Sequence, residues 1–246
     1  MAVYSKFAEI YDKLIYEDID YLSWSKFLEI KCKKYDIRND NYLDLGCGTG
    51  NLSINLAKNF ARSWCVDLSE EMLIIAERKF RDRRIKARFI RQNMIDLNLN
   101  CKFDLITCVL DCTNYLVNDG ELDRFFNKIY EHLDDSGIFV FDINSKYKLE
   151  NIIGDNIFTY NSDEVVYIWE NQIDDNVVEM DLTFFIKDGE KYERFDEFHR
   201  ERIYCDNYVE QALMRNNLQI KEKCNNYTDY DINDSCERIT YIVSKK

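Results

Sequence analysis

Residues 42–53 read YLDLGCGTGNLS. An apolar run ends at Asp44, and glycines follow at every second position, Gly46, Gly48 and Gly50. A strand, a glycine-rich turn and a helix in that order make a site where main chain passes close to a ligand and where an anion is favoured. A phosphate loop needs Gly-x4-Gly-Lys-Ser/Thr, and no lysine follows these glycines, which removes that reading. A dinucleotide fingerprint needs Gly-x-Gly-x-x-Gly. Gly46 and Gly48 fit it, but Asn51 stands in the third position, so the match is partial. Taken alone, the loop leaves its ligand open.

The surrounding chain sets the loop in a fold. Apolar runs at 42–45, 62–67, 87–91, 103–110 and 136–142 read as strands, and helical patterns lie between them. In 119–133, Leu122, Phe125, Phe126, Ile129 and Leu133 share one helical face. Strands alternating with helices predict βαβ units and a parallel, doubly wound α/β sheet. The pattern changes at 155–204. VVEMDLTFFI (177–186) alternates strictly, and Asp188-Gly189 gives a hairpin signal. This predicts an antiparallel meander of three or four strands, turning also at Asp174-Asp175-Asn176. A helix near 206–215 and strands near 217–226 and 237–244 finish the chain. The expected organisation is a core of 1–150 and 205–246, with residues 151–204 inserted as a β-rich lid.

Composition narrows the function. The 246 residues carry a formal charge of −13, which repels nucleic acid unless a basic patch is segregated. The basic run ERKFRDRRIKARFIR (77–91) reads as a solvated helix face and loop, with an RNA-binding surface as its alternative. No apolar run reaches the ~18 residues that span a bilayer, and the N-terminus lacks the apolar stretch of a signal peptide. Nine scattered cysteines without a Cys-x-x-Cys pair read as reduced thiols, so a cytoplasmic protein is expected.

Asp44-x-Gly46-x-Gly48-x-Gly50 resembles the first motif of the class I S-adenosylmethionine-dependent methyltransferases. Further motifs of that family recur in order. Asp67 closes the second strand in CVDLSEEM, where the family places an acidic residue on the ribose hydroxyls. Gln92-Asn93-Met94 follows the third strand, where the family reads the adenine; the family usually has aspartate at the position of Asn93. FDLITCVLD resembles the fourth strand, whose end lies beside the sulfonium. FAEIYDKL (7–14) resembles the segment that closes over the cofactor in many small bacterial members. The resemblance covers about residues 4–150 and the final strand. It implies a Rossmann-like methyltransferase fold and S-adenosylmethionine held by Tyr11, Asp44, Gly46, Cys47, Gly48, Asp67, Leu68, Met72, Asn93, Met94 and Leu110.

The chain contains no proline. By the same resemblance, enzymes that methylate exocyclic amino groups of adenine or a glutamine side chain use an Asn/Asp/Ser-Pro-Pro-aromatic motif, and those forming cytosine C5 bonds use Pro-Cys. Neither motif can exist here, which points to a small-molecule acceptor methylated on N, O or C. RNA methylation with a partner, or cofactor binding without turnover, are the alternatives. Ligands of open α/β sheets sit at the C-terminal strand ends, which nominates Asp111 and Tyr115, with Asp142 and Asn144 nearby. A metal on Asp111, Asp142 and Asn144 is not enforced by the sequence, and none is expected. In the insert, Tyr167, Trp169 and Asn171 share a face. His199, between Glu197 and Glu201, is a candidate base on a strand face that otherwise reads as exposed and charged. His132 ends a helix, where a cation suits the dipole, and reads as structural. The oligomeric state is not legible.

Overall fold

The computed structural model describes residues 11, 12, 14, 15 and 18–246. Helix α1 (Tyr21–Lys34) is capped by Asp20, whose carboxylate accepts from the Leu22 and Ser23 amides. Five strands then build the parallel part of the sheet: β1 (Asn41–Leu45), β2 (Arg62–Asp67), β3 (Arg88–Arg91), β4 (Phe103–Cys108) and β5 (Leu133–Asn144). Between them lie α2 (Ser53–Leu56), α3 (Glu70–Asp82) and α4 (Glu121–His132). The predicted apolar stripe of α4 is buried through Leu122, Phe125, Phe126 and Ile129. These residues pack in one core with Phe139 and Phe141 of β5, and Tyr241 stacks on Phe141 at 4.8 Å.

After β5 the chain leaves this sheet through a helical turn, Lys148–Ile153, which straddles the expected boundary at 150/151. Four antiparallel strands follow, β6 (Ile157–Asn161), β7 (Val165–Asp174), β8 (Val177–Asp188) and β9 (Lys191–Arg202). They form a sheet of their own in the order β6-β7-β8-β9. Asp188 pairs with Lys191, so the two-residue hairpin loop is Gly189-Glu190, one residue beyond the predicted turn. Helix α5 (Asp206–Arg215) returns the chain to the first sheet, where β10 (Leu218–Asn225) and β11 (Arg238–Lys245) complete the order β10-β11-β5-β4-β1-β2-β3. β11 runs antiparallel to β5. Strand order reverses between β1 and β4, and such a reversal opens a crevice at the carboxyl ends of those strands.

Candidate active site

A cavity of about 680 Å³ opens at that crevice, within the ~300–1,000 Å³ usual for ligand pockets. Its floor is the glycine loop. Gly46 has φ +64°, and a Cβ there would lie 2.6 Å from Cys112 Sγ. Gly48 has φ +51°, and a Cβ there would meet nothing within 4 Å. The first glycine therefore lets two loops touch, while the second leaves main chain open to a ligand. Asp67 lines the cavity and is fixed by two amides, Gly48 N–H to Oδ2 at 2.7 Å and Ser69 N–H to Oδ1 at 2.9 Å. Each oxygen retains a lone pair for a further donor. Ser69, not Asp67, caps α3, accepting from the Met72 amide at 3.2 Å.

Asp44 lines the cavity from below and is buried. Its carboxylate accepts from the hydroxyls of Ser53 and, at 2.7 Å, Thr107. Burial outweighs both bonds and pushes its pKa up to about 6. Asn51, the misfit of the dinucleotide pattern, has a structural task. Its amide donates to Asp12 Oδ1 at 2.9 Å and accepts from Lys79 Nζ at 2.6 Å, and Lys79 and Thr49 also hold Asp12. The far end of the glycine loop is thus pinned to the N-terminal segment. Tyr11 and Leu14 of that segment line the cavity; residues 7–10 and 13 of FAEIYDKL lie outside the described residues.

The wall at the end of β4 is held in an uncommon conformation. Leu110 and Asp111 are consecutive non-glycine residues with φ +63° and +53°. Buried Asp142 on β5 fixes them by accepting the Leu110 amide at 2.8 Å and the Asp111 amide at 2.7 Å. Asp142 also accepts from Tyr227 Oη and Arg238. Arg238 donates its other nitrogen to Asp111 Oδ1 at 2.6 Å and lies over the Trp24 ring, 5.6 Å from its centroid. Trp24 in turn stacks on Tyr227 at 4.1 Å. One buried arginine therefore neutralises two of the three groups nominated as a metal set. The third, Asn144, donates to Glu201 Oε2 at 2.8 Å.

The inserted sheet roofs the cavity with its inner face: Tyr167, Trp169, Met180, Leu182, Phe184, His199 and Glu201. Strand β9 therefore turns its 199/201 parity inward, against the expectation of an exposed charged face. Its seat is the loop after β4. Asn114 Nδ2 donates to the Arg202 carbonyl at 3.0 Å, and Arg202 Nη1 donates to the Val117 carbonyl at 3.2 Å. Tyr115 meets His199 across this junction, Oη to Nδ1 at 3.2 Å. Burial holds the His199 pKa below the usual value, so its imidazole is neutral at pH 7. Tyr115 is 42% exposed, but it lines the cavity, and desolvation there still pushes its hydroxyl pKa up.

Two of the nominated cofactor residues fall elsewhere. Asn93 and Met94 do not line the cavity. Asn93 Oδ1 instead accepts the Ile95 amide at 3.2 Å and caps the turn Met94–Asp96, while Met94 packs against the main core. His132 is structural, but not as a cation. It is buried, Nε2 accepts the Leu99 amide at 2.9 Å, and burial lowers its pKa. A ring nitrogen that accepts is unprotonated, so the helix-dipole reason is replaced by a hydrogen bond to the neutral ring.

Comparison with known proteins gives the family. A family model described as "Methyltransferase domain" matches residues 43–137. The chain is 38% identical over 246 residues to "Putative methyltransferase GWCH70_2453" of Geobacillus sp. (strain WCH70), covering 98% of this chain and 99% of the relative. The chain belongs to the class I S-adenosylmethionine-dependent methyltransferases. A solved S-adenosylmethionine-dependent methyltransferase from Clostridium acetobutylicum ATCC 824 superposes with a TM-score of 0.94 at 49% identity, covering 98% of each chain. A third relative is the dTDP-3-amino-3,6-dideoxy-alpha-D-glucopyranose N,N-dimethyltransferase of Streptomyces fradiae. It is 29% identical over 54% of this chain and 51% of its own length.

The methyltransferase thus uses S-adenosylmethionine, and the residues present fit that molecule. Asp67 keeps lone pairs free, Gly48 leaves main chain uncovered, and the aromatic Tyr11 lines the same cavity. The groups that sequence reading missed are Arg238, Tyr227, Trp24, Glu201 and the Asp12–Lys79 pair. Two carried a signal. Arg238 is a charge at the head of the apolar strand RITYIV, and Glu201 shares parity with buried Phe195 on β9. Among the described residues, no helix is long and apolar enough to cross a membrane.

Proposed function

We propose that this methyltransferase transfers the methyl group to an N, O or C atom of a small molecule held between the end of β4 and the inserted sheet. The observation that carries this reading is one continuous cavity. It is lined at one end by Gly46, Gly48 and Asp67 and at the other by Tyr115, Trp169 and His199. S-adenosylmethionine supplies a methyl carbon bonded to a positively charged sulfur. Asp67 would take the ribose hydroxyls, the glycine loop would pass under the methionine portion, and Leu68 and Met72 would flank the nucleoside. Asp111, Tyr115 and His199 face the acceptor, and neutral His199 is one group able to take a proton where the acceptor must lose one. The insert, residues 151–204, acts as a lid that shapes the acceptor space and excludes water, so that alignment and desolvation supply most of the acceleration. The amino-sugar specificity in the Streptomyces fradiae relative's name supports an acceptor of this size. All nine cysteines are free, which fits a reducing, cytoplasmic location.

The test is a thermal melt with ligands. S-adenosylhomocysteine should raise the melting temperature by several degrees and NAD should not, because only a ligand of the native state stabilises it. No shift up to millimolar S-adenosylhomocysteine refutes the cavity assignment. Labelled S-adenosylmethionine incubated with a cell extract split into metabolite, protein and RNA fractions then locates the acceptor. Label in RNA alone overturns the small-molecule reading.

A further inference from the structure

The cavity is acidic. Asp18, Asp44, Asp67, Asp111 and Glu201 line it, and among the described residues neither lysine nor arginine does. Most of these carboxylates have work inside the fold. Asp44 is bound by two hydroxyls, Asp67 is held at the nucleoside end, and Asp111 is paired with Arg238. Glu201 differs. It is 4% exposed, it belongs to the roof, and Asn144 holds only its Oε2, at 2.8 Å. Among the described residues nothing hydrogen-bonds Oε1, and no cation touches the carboxyl. Lys148 is directed instead to Asn144 Oδ1 at 3.0 Å, and Arg238 to Asp111 and Asp142.

Lys148 and Arg238 act on Glu201 only from a distance, so ionising this buried carboxyl stays costly, and a ligand that brings a positive charge or a strong donor into contact lowers the cost. The walls favour the same kind of ligand. Tyr115, Tyr167, Trp169 and Phe184 present rings around the acceptor space, and ring faces attract cations. An acceptor with a phosphate or carboxylate here would meet carboxylates and, among the described residues lining the cavity, no lysine or arginine.

We propose that the acceptor is an amine with no anionic group near its reacting nitrogen, and that Glu201 Oε1 receives its N–H. This rests on the methyl-transfer reading above. The amine enters as an ammonium ion. The ammonium ion stabilises Glu201 as its carboxylate, which takes one proton at Oε1 and leaves a lone pair on nitrogen and a neutral carboxyl. The lone pair forms the bond to the methyl carbon, the carbon–sulfur pair stays on sulfur, and the positive charge passes from sulfur to nitrogen. The proton held by Glu201 leaves to solvent when the methylated ammonium departs.

The experiment is calorimetric titration of the full chain saturated with S-adenosylhomocysteine. The probes are benzylamine, N-methylbenzylamine and 2-aminoethanol, set against benzyl alcohol and benzoate. At least one amine should bind about tenfold more tightly than the alcohol and the carboxylate, the usual scale of a charge-assisted hydrogen bond. Glu201→Gln should remove that preference while leaving S-adenosylhomocysteine affinity within about twofold. Alcohol or benzoate binding as tightly as the amines, or no amine binding at millimolar concentration, overturns the proposal. An unchanged amine preference in Glu201→Gln overturns it as well. If that variant does not fold, the selectivity of the unmodified protein decides alone. A chain that fails to bind S-adenosylhomocysteine overturns the underlying reading instead.

Discussion

Replacing Arg238 with methionine tests whether the β4 wall is held electrostatically. The Arg238 side chain is 7% exposed, and its partners Asp142 and Asp111 are 0% and 14% exposed. Methionine fills much of the same volume, so the loss is one of charge rather than of packing. Removing one partner of a buried ion pair costs about 3–5 kcal/mol. Asp142 keeps three donors, the Leu110 and Asp111 amides and Tyr227 Oη, which sets the expectation at the low end, about 3 kcal/mol. For a chain of this size each kcal/mol moves the melting temperature by about 2–4 °C, so a fall of about 6–12 °C is expected. The site should feel it too. Leu110 and Asp111 adopt left-handed backbone at a cost of about 1–2 kcal/mol each. Loosening Asp142 releases that strain and should weaken S-adenosylhomocysteine about tenfold by calorimetry. Adding Asp111→Asn to the variant removes one of the stranded charges and should recover part of the stability, which a double-mutant cycle measures. A melting temperature within 2 °C of the parent, with unchanged affinity, would refute the electrostatic account.

Other substitutions probe separate parts of the site. Asp67→Ala removes both ribose acceptors and should weaken S-adenosylhomocysteine by about 1–3 kcal/mol, read by calorimetry. Gly46→Ala and Gly48→Ala should diverge. The first drives a methyl group into Cys112 and lowers the melting temperature, with part of the loss restored by Cys112→Ala. The second has room in the fold, so beyond its backbone strain its main effect should be on cofactor affinity. Glu222 does not line the cavity and gives a pH test. Burial raises its pKa, but hydrogen bonds from Lys31, Lys34 and Tyr35 outweigh this and bring it down to about 2. A depressed carboxylate stabilises the fold above its unfolded value of about 4.5, and that stability is lost as pH falls through about 2. The parent should therefore exceed Glu222→Gln in urea midpoint at pH ~6, with the gap closing toward pH ~2.

The parallel strands, the α4 stripe and the antiparallel insert were legible because burial imposes a local period: two along β8, about 3.6 along α4. Asp67 and the glycine loop were legible for a related reason, since their spacing follows from two adjacent strands ending at the same height. The rest of the site is not local. Arg238 and Asp142 stand 96 positions apart and meet only because β11 returns antiparallel to β5, where Arg238 pairs in register with Asn144. No short-range pattern announces that pairing. Asn93 is the opposite case, a motif position whose side-chain oxygen caps its own turn. Strand parity lies between these cases. The alternation Phe195, Glu197, His199, Glu201 puts all four on one face, but the sequence does not say which face the core takes. Phe195 is buried, and a period of two then carries Glu201 inward with it. A charged residue at an inward position of an otherwise satisfied strand is therefore a signal in itself. On β9 it directs the search for acceptor chemistry to Glu201, one inward step beyond the histidine that first drew attention.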